Sequence, residues 1–461
     1  MEQRPRLEAV NPATGKRVRE VEAISDRQLE AALQAATDAA PEWEAIGFGG
    51  RAKILRSAAA ILREDSERFE TLMREEMGKP VREAPGEVAK AAWCAEHYAE
   101  HAEAYLASDE IASDARRSFV QYRPLGAILG ILPWNAPFWL ASRFFSPTLM
   151  AGNTCLIKHD PHVPGCAEAI AELFQRAGAP QGVLQNLALE TDRVGRVIED
   201  ERIQGVSFTG SERAGGIVAS TAAARIKHSV LELGGSDPAI VLADADLDEA
   251  ADKLVMSRTI NAGQSCIAAK RLIIEGSVYD CFVDKLRERM QRLTVGDPAS
   301  AETDIGPIAR GDLRENLHRQ VKATVEAGAR CLLGGDLPAG DGFFYPVTLL
   351  ADVTPRMCAA SEETFGPVAV VMRAEDAEQA MAIANDTPWG LAASVWTTRR
   401  DAVSYASRFE SGQVAINGLV KTDPRLPSGG IKRSGFGREL GRHGIHEFVN
   451  AQQVWVGPAR G

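Results

Sequence analysis

Apolar residues recur at two different spacings along the chain, and the switch between them divides it. Over the first hundred or so residues the spacing is helical. Ser25 and Gln28 form a capping pair, and Leu29, Ala32, Leu33, Ala36 and Ala40 follow on one face, with Pro41 expected to end the run. Between Arg51 and Met77 the apolar positions Ile54, Leu55, Ala58, Ile61, Leu62, Phe69, Leu72 and Met73 predict a helix or helix pair, broken by Gly78-Lys79-Pro80. An Ala-rich helix then reaches about Leu106. It carries His97 and His101 four residues apart, a spacing that suits a metal. The residue after His97 is Tyr98 and not Glu, so the zinc-protease pattern does not apply and a solvated helix face is expected.

From Ser118 the period shortens. Phe119, Gln121, Tyr122 and Arg123 read as an exposed strand and 125–132 as a buried one ending at Pro133-Trp134-Asn135. Strands are then expected at 154–158, 182–189, 204–209 and 228–233, with helices at 164–177, 192–199 and 211–223 between them. A second alternating block runs through a strand at 238–242, a helix at 246–261, a strand at 271–275 and a helix at 277–292. Further strands are expected at 346–350, 367–372, 392–396 and 413–416. This alternation predicts α/β architecture with parallel sheets and crossover helices. The strands near Phe119 and Val454 have no sequence neighbour to pair with, and open edges favour cover by a second copy of the chain.

Composition narrows the function. With 461 residues the chain has room for two to three domains, and 63 acidic against 52 basic residues leave a net charge of −11. That balance argues against nucleic acid and anionic membranes as partners, because both need a basic face. Seven cysteines, an odd number with no Cys-x-x-Cys pair, point to a reducing compartment and away from disulfides or a cysteine-rich zinc site. The first twenty residues lack the apolar core of a secretory signal, and no apolar run reaches 18 residues, so a cytoplasmic protein is expected.

Two short stretches carry the candidate chemistry. Gly263-Gln264-Ser265-Cys266 offers a thiol with no nearby cysteine partner, and Leu231-Glu232-Leu233-Gly234-Gly235 offers a carboxylate between apolar residues. A low-polarity setting raises a carboxyl pKa toward the range of a working base. A thiol that bonds to a carbonyl carbon and a carboxylate that later activates water together suit acyl chemistry. A lone cysteine is more often a small buried hydrophobe, so the pair matters more than either member. Asn135, between Pro133 and Pro137, is a turn residue or an oxyanion donor. Gly210 and Ser211 end a strand and open a helix whose first N–H groups attract phosphate, and Lys158 ends another strand. A serine hydrolase is disfavoured because the Gly-x-Ser-x-Gly elbow is missing.

Taken together these pieces resemble the aldehyde dehydrogenase superfamily over nearly the whole chain and in the right order. The matching segments are 11–15, 76–80, 133–135, 208–211, 231–235, 263–266, 362–367 and 427–437. The resemblance implies a Rossmann-like cofactor domain (1–112 and 127–234), an α/β catalytic domain (235–430), and a small β oligomerisation arm with a C-terminal tail (113–126 and 431–461), assembled as a homodimer or homotetramer. It implies that Cys266 attacks an aldehyde, that Asn135 and the Cys266 N–H hold the oxyanion, and that Glu232 activates water to hydrolyse the thioester. NAD or NADP would be bound by Trp134, Lys158, Gly210, Ser211, Leu233, Glu363 and Phe365, with no metal. Members that transfer the acyl group to coenzyme A typically lack the carboxylate at 232, so a free acid is the expected product.

Within the superfamily the chain is most similar to bacterial succinate-semialdehyde dehydrogenases, through 231–238, Lys158-His159-Asp160-Pro161, and Asn417-Gly418 followed by Asp423-Pro424-Arg425. In that subgroup Trp139, Arg143 and Ser265 match positions lining the substrate pocket, and Arg143 offers a bidentate fork for a carboxylate. An ordinary ion-paired helix residue is the other reading of Arg143. Pro161 departs from the acidic or small polar residue of many relatives and leaves NAD and NADP both open. Ile267 follows the nucleophile, so no neighbouring-cysteine switch is expected. The alternatives are a broad dehydrogenase of neutral or aromatic aldehydes and a non-catalytic structural protein on the same fold.

Overall fold

A computed structural model of the chain describes residues 5–457; the outermost ends of the expected cofactor domain and tail lie outside that range. Two sheets organise it. One has six strands in the order Gly435–Phe436, His228–Glu232, Ile203–Thr209, Ala127–Leu132, Thr154–His159, Leu184–Asn186, all parallel except Gly435–Phe436. Every residue of Ala127–Leu132 and Thr154–His159 is buried, as strands covered by helices on both faces must be. At Gly130 an added Cβ would come within 2.4 Å of the Phe144 ring, so the Pro137–Met150 helix lies hard against this sheet.

The second sheet has seven strands in the order Arg330–Leu333, Thr348–Ala351, Val368–Ala374, Ala269–Glu275, Asp237–Val241, Ala392–Trp396, Gln413–Ile416. Only the first pair is antiparallel. The two-residue period sorts its side chains cleanly. Ile240, Ile273, Val370 and Met372 enter one apolar cluster, and Ala239, Val241, Leu272, Ile274 and Val371 enter the cluster on the opposite face. The six-stranded sheet brings the C-terminal ends of its parallel strands to Asn135 and Glu232, the usual site of ligand crevices in open α/β sheets, and the seven-stranded sheet meets them with the N-terminal ends of its strands, Cys266 lying just before Ala269–Glu275.

The two strands expected to lack neighbours pair with each other: Val449–Val456 runs antiparallel to Arg117–Pro124 over eight residue pairs, and Asp109–Glu110 adds a third strand. Their separation in sequence hid the match. Other expectations need correction. Pro41 does not end its helix, which runs from Asp26 to Ala45. Trp43 beyond it is fully buried and its indole N–H donates to the Leu149 carbonyl at 2.9 Å, which offsets the helical hydrogen bond that proline removes. His97 is not on a solvated face; it is buried, stacked on His101 at 4.5 Å and within 3.1 Å of the Tyr105 hydroxyl. The hairpin Arg6–Asn11/Lys16–Glu22 and the helices Gly311–Glu326 and Ala377–Asn385 fall where no element is expected.

Candidate active site

Cys266 leaves a backbone turn that little else in the chain resembles. After the Leu247–Thr259 helix, Asn261, Ala262 and Gly263 take φ of 56°, 53° and 75°, three left-handed residues in a row. The two that are not glycine each cost about 1–2 kcal/mol, so the surroundings must impose the shape. The Glu83 carboxylate accepts the Asn261 N–H at 2.8 and 3.1 Å. The Asn261 amide donates to the carbonyls of Asn135 (2.8 Å) and Gln264 (3.1 Å). The Gln264 side chain accepts from the Ala309 N–H, and buried Arg258 donates to the carbonyls of Gly263 and Gly366. The turn delivers Ser265 and Cys266 partly exposed, whereas Cys94, Cys155 and Cys166 are buried.

Glu232 is the last residue of its strand, and its backbone is pinned by the Gly210 N–H at 3.0 Å. Its side chain is buried. Oε2 lies 3.1 Å from Arg143 Nη2, while Oε1 has no hydrogen-bond partner among the described residues. The Gly-rich stretch after Pro427 folds back beneath it, and a Cβ on Gly429 would stand 2.8 Å from that free oxygen. Burial raises the Glu232 pKa to about 7; Arg143 draws it down and Glu439 pushes it back up. Burial likewise pushes the Cys266 thiol up to about 11, against the pull of Lys270 and Arg143. The free protein therefore holds a protonated thiol and a carboxyl poised near neutrality.

Asn135 precedes the Pro137–Met150 helix, whose first N–H groups, Phe138 and Trp139, donate to Glu87 at 2.9 and 3.3 Å. Glu87 is ion-paired to Lys79, which also reaches the Asn135 carbonyl at 3.4 Å. The Asn135 side-chain amide donates to the Gln264 carbonyl at 3.1 Å, which brings it beside the segment bearing the thiol. Amide, thiol and carboxylate are thus brought together from the ends of both sheets.

Arg143 does not present the free fork expected of a substrate-binding residue. Its side chain is 3% exposed and sits between Glu232 and Glu439, 2.5 Å from the latter, with Ser428 Oγ at 3.2 Å. Burial opposes its charge, but the two carboxylates more than restore it and raise its pKa. Trp139 is buried one turn before it, and the Lys90 ammonium lies 4.3 Å from the centre of its ring.

The residues expected to bind a cofactor pack closely on one another. Ser211 caps the Glu212–Ala224 helix by accepting the Ala214 N–H, and a Cβ on the preceding Gly210 would stand 2.7 Å from the Phe208 ring. Gly215 lets the helix close on Leu233, since a Cβ there would stand 2.5 Å from a Leu233 methyl. A Cβ on Gly234 would lie 2.3 Å from Glu363 Oε2, so the backbone passes directly against that carboxylate. Glu363 accepts the Gly235 N–H at 3.1 Å and is 3.3 Å from Lys270 Nζ. Trp134 and Phe365 meet edge to face at 5.7 Å, and Lys158 is buried at the end of its strand. Among the described residues no cluster of three metal-ligating side chains occurs.

Several contributors went unread in the sequence. Lys270 is fully buried and donates to the carbonyls of Ser265 (3.0 Å) and Cys266 (2.6 Å); its only signal is that it stands with Arg271 inside the otherwise apolar run 267–274. Glu439 and Glu83 carry no local signal, because their partners Arg143 and Asn261 lie far away in sequence, and the sequence marks Lys79 only as part of the Gly78-Lys79-Pro80 break.

The aldehyde dehydrogenase family model matches residues 1–454. A probable succinate-semialdehyde dehydrogenase [NADP(+)] of Synechocystis is 48% identical, covering 98% of this chain and 99% of its own. The succinate semialdehyde dehydrogenase [NAD(P)+] of Escherichia coli is 46% identical over 97% of each chain. The solved succinic semialdehyde dehydrogenase of Streptococcus pyogenes, in complex with NADP+, superposes with a TM-score of 0.96 at 33% identity, covering 98% of this chain and 100% of that one. With a match of that extent, the chain belongs to the aldehyde dehydrogenase family.

Proposed function

We propose that the chain oxidises succinate semialdehyde to succinate with NAD or NADP, through an acyl-enzyme on Cys266. The observation that carries it is the junction of a partly exposed thiol, a buried carboxyl with one unpartnered oxygen, and an amide fixed beside them. Cys266 gives up its thiol proton to solvent and adds to the aldehyde carbon, the carbonyl π pair moving onto oxygen. The Asn135 amide exchanges its bond to the Gln264 carbonyl for the developing oxyanion, a donor worth about 2.7–4 kcal/mol of barrier. Trp134 and Phe365 would wall a nicotinamide, which when bound would accept the hydride that the sulfur-bearing carbon loses as the thioester forms. Glu232 Oε1 then takes a proton from the attacking water, while Arg143 keeps Oε2 in place. Glu363 would hold the ribose nearest the nicotinamide, Lys158 the adenosine ribose, and Gly210 with Ser211 the diphosphate.

The semialdehyde is supported by the names of relatives at 46–48% identity. Fold alone does not select it, because a solved lactaldehyde dehydrogenase superposes equally well, with a TM-score of 0.96. The cysteines, all unpaired, support a reducing cytoplasmic setting, and no described helix is long and apolar enough to cross a membrane. The test is a panel of succinate semialdehyde, glutarate semialdehyde, butanal and benzaldehyde, assayed with NAD and NADP in parallel. The expected result is a kcat/KM for succinate semialdehyde about tenfold or more above that for butanal. A flat panel would overturn the substrate reading and favour a broad aldehyde dehydrogenase.

A further inference from the structure

Two buried cations join the nucleophile turn to the segment that carries Glu363 and Phe365. Arg258 donates to the Gly263 carbonyl on one side and to the Gly366 and Thr364 carbonyls on the other, at 2.5, 2.8 and 3.5 Å. Lys270 makes the second link, and its partners carry the chemistry. It is the second residue of the Ala269–Glu275 strand and is fully buried. Its ammonium donates to the carbonyls of Ser265 and Cys266 and lies 3.3 Å from Glu363 Oε1. The same carboxylate accepts the N–H of Gly235, just beyond Glu232. The chain after Glu232 passes close by: a Cβ on Gly235 would stand 2.8 Å from Asp237 Oδ1 and 3.5 Å from the Cys266 carbonyl oxygen.

An ammonium out of water is costly unless its partners compensate it, so the choice of partners is informative. The next residue, Arg271, points to the opposite face of the strand and donates to the carbonyls of Ser236, Ile383 and Ala384, which are contacts of the scaffold. Lys270 instead meets the two peptide groups beside the thiol and the carboxylate assigned to the cofactor. We propose that Lys270 is a positioning residue that fixes the Ser265–Cys266 loop to Glu363, so that the sulfur and the ribose nearest the nicotinamide are set in one frame and the thiolate forms beside a positive charge. The inference rests on the reading of Glu363 given above and goes beyond it.

The charges around the ammonium agree. Glu363 is its nearest carboxylate. Asp237, in the neighbouring strand, accepts the Ala392 N–H on Oδ1, and its Oδ2 has no hydrogen-bond partner among the described residues. Burial raises the Asp237 pKa to about 7, and Lys270 is the charge that most opposes the rise. At Cys266, burial raises the thiol and Lys270 again opposes it most, ahead of Arg143, while Glu232 and Glu363 act the other way. Glu363 therefore offsets part of the ammonium's effect at the sulfur.

The experiment reads the charge at the sulfur in the cofactor-free protein. Cys266 is alkylated with iodoacetate, an anion, and with iodoacetamide, its neutral counterpart, and is followed by peptide mass because Cys281 and Cys331 are exposed as well. The ratio of the two rates cancels the thiolate fraction and the looseness of the loop, and leaves the local potential. Lys270→Met is expected to lower the ratio about fivefold. Lys270→Gln, which keeps a donor for the carbonyls without the charge, should lower it as much. Affinity for NADPH, measured by quenching of protein fluorescence, should weaken about tenfold in Lys270→Met and in Glu363→Gln, and no further in the double variant. Equal slowing with both reagents, or additive losses of affinity, would make Lys270 a packing residue and overturn the proposal. Glu363→Gln replaces a partly exposed side chain and serves even if the Lys270 variants fail to fold: it should raise the reagent ratio, and an unchanged ratio overturns the proposal. Unchanged NADPH affinity in Glu363→Gln defeats the ribose reading of Glu363 and with it the shared frame, a failure that the ratio, taken without cofactor, separates from one at the thiol.

Discussion

At the scale of single residues, the site is a problem of buried charge. Glu232 suits the proposed role of base because it is nearly out of water: burial raises its pKa to about 7, against the pull of Arg143. Removing one member of a buried ion pair typically costs about 3–5 kcal/mol, so Arg143 serves the fold and the base together. The Glu232→Gln variant should still form the acyl-enzyme, since its shape survives and the thiol is untouched. The expected outcome is a stoichiometric burst of reduced cofactor, followed by turnover about 10²–10⁴-fold slower than wild type, in stopped-flow absorbance. In wild type the hydrolysis phase should speed up as pH rises through about 7, because the carboxyl accepts a proton only once it has lost its own. Loss of the burst itself would place Glu232 before hydrolysis.

At the scale of elements, helices and strands are regular and the chemistry sits where they stop. The Leu247–Thr259 helix, the His228–Glu232 strand and the Pro137–Met150 helix each hand one group to the site from a terminus. Most of these elements were legible, because their apolar periods survive in the folded protein; the expected strands 392–396 and 413–416 are the observed Ala392–Trp396 and Gln413–Ile416. The left-handed turn 261–263 was not, because Ala262 in its middle is a residue that avoids positive φ. That turn makes a sharp prediction. A Cβ at Gly263 would stand 2.2 Å from the Gly366 carbonyl oxygen. Gly263→Ala should lose about 2 kcal/mol or more of stability in urea unfolding and most of its kcat, since the displaced turn carries Cys266 with it.

At the scale of the whole molecule, the three-stranded arm is the feature a single chain explains least. Val449–Val456 is mostly exposed, and Trp455 is 49% exposed on it. A strand of that length with one uncovered edge invites pairing with a second copy. We expect a homodimer or homotetramer assembled through this arm. Sedimentation should show the oligomer in wild type and a smaller species for Trp455→Glu, with far-ultraviolet circular dichroism unchanged. A monomeric wild type would remove the arm's proposed role.

The α/β class and most of the order of elements followed from the sequence alone, which also singles out Cys266, Glu232 and Asn135 as candidates. Periodicity is a local property, and the short segments around those residues are distinctive in themselves. What the sequence could not assign was which charge faces which. Arg143 read as a fork for substrate; the fold spends it on Glu232 and Glu439. Lys270 and Lys90 drew no notice, yet one holds the nucleophile loop and the other is left without an ion-pair partner beside Trp139. Pairings of this kind join residues from separate elements, and in a buried site their energy depends on distances of a few ångströms that only the packed tertiary structure sets.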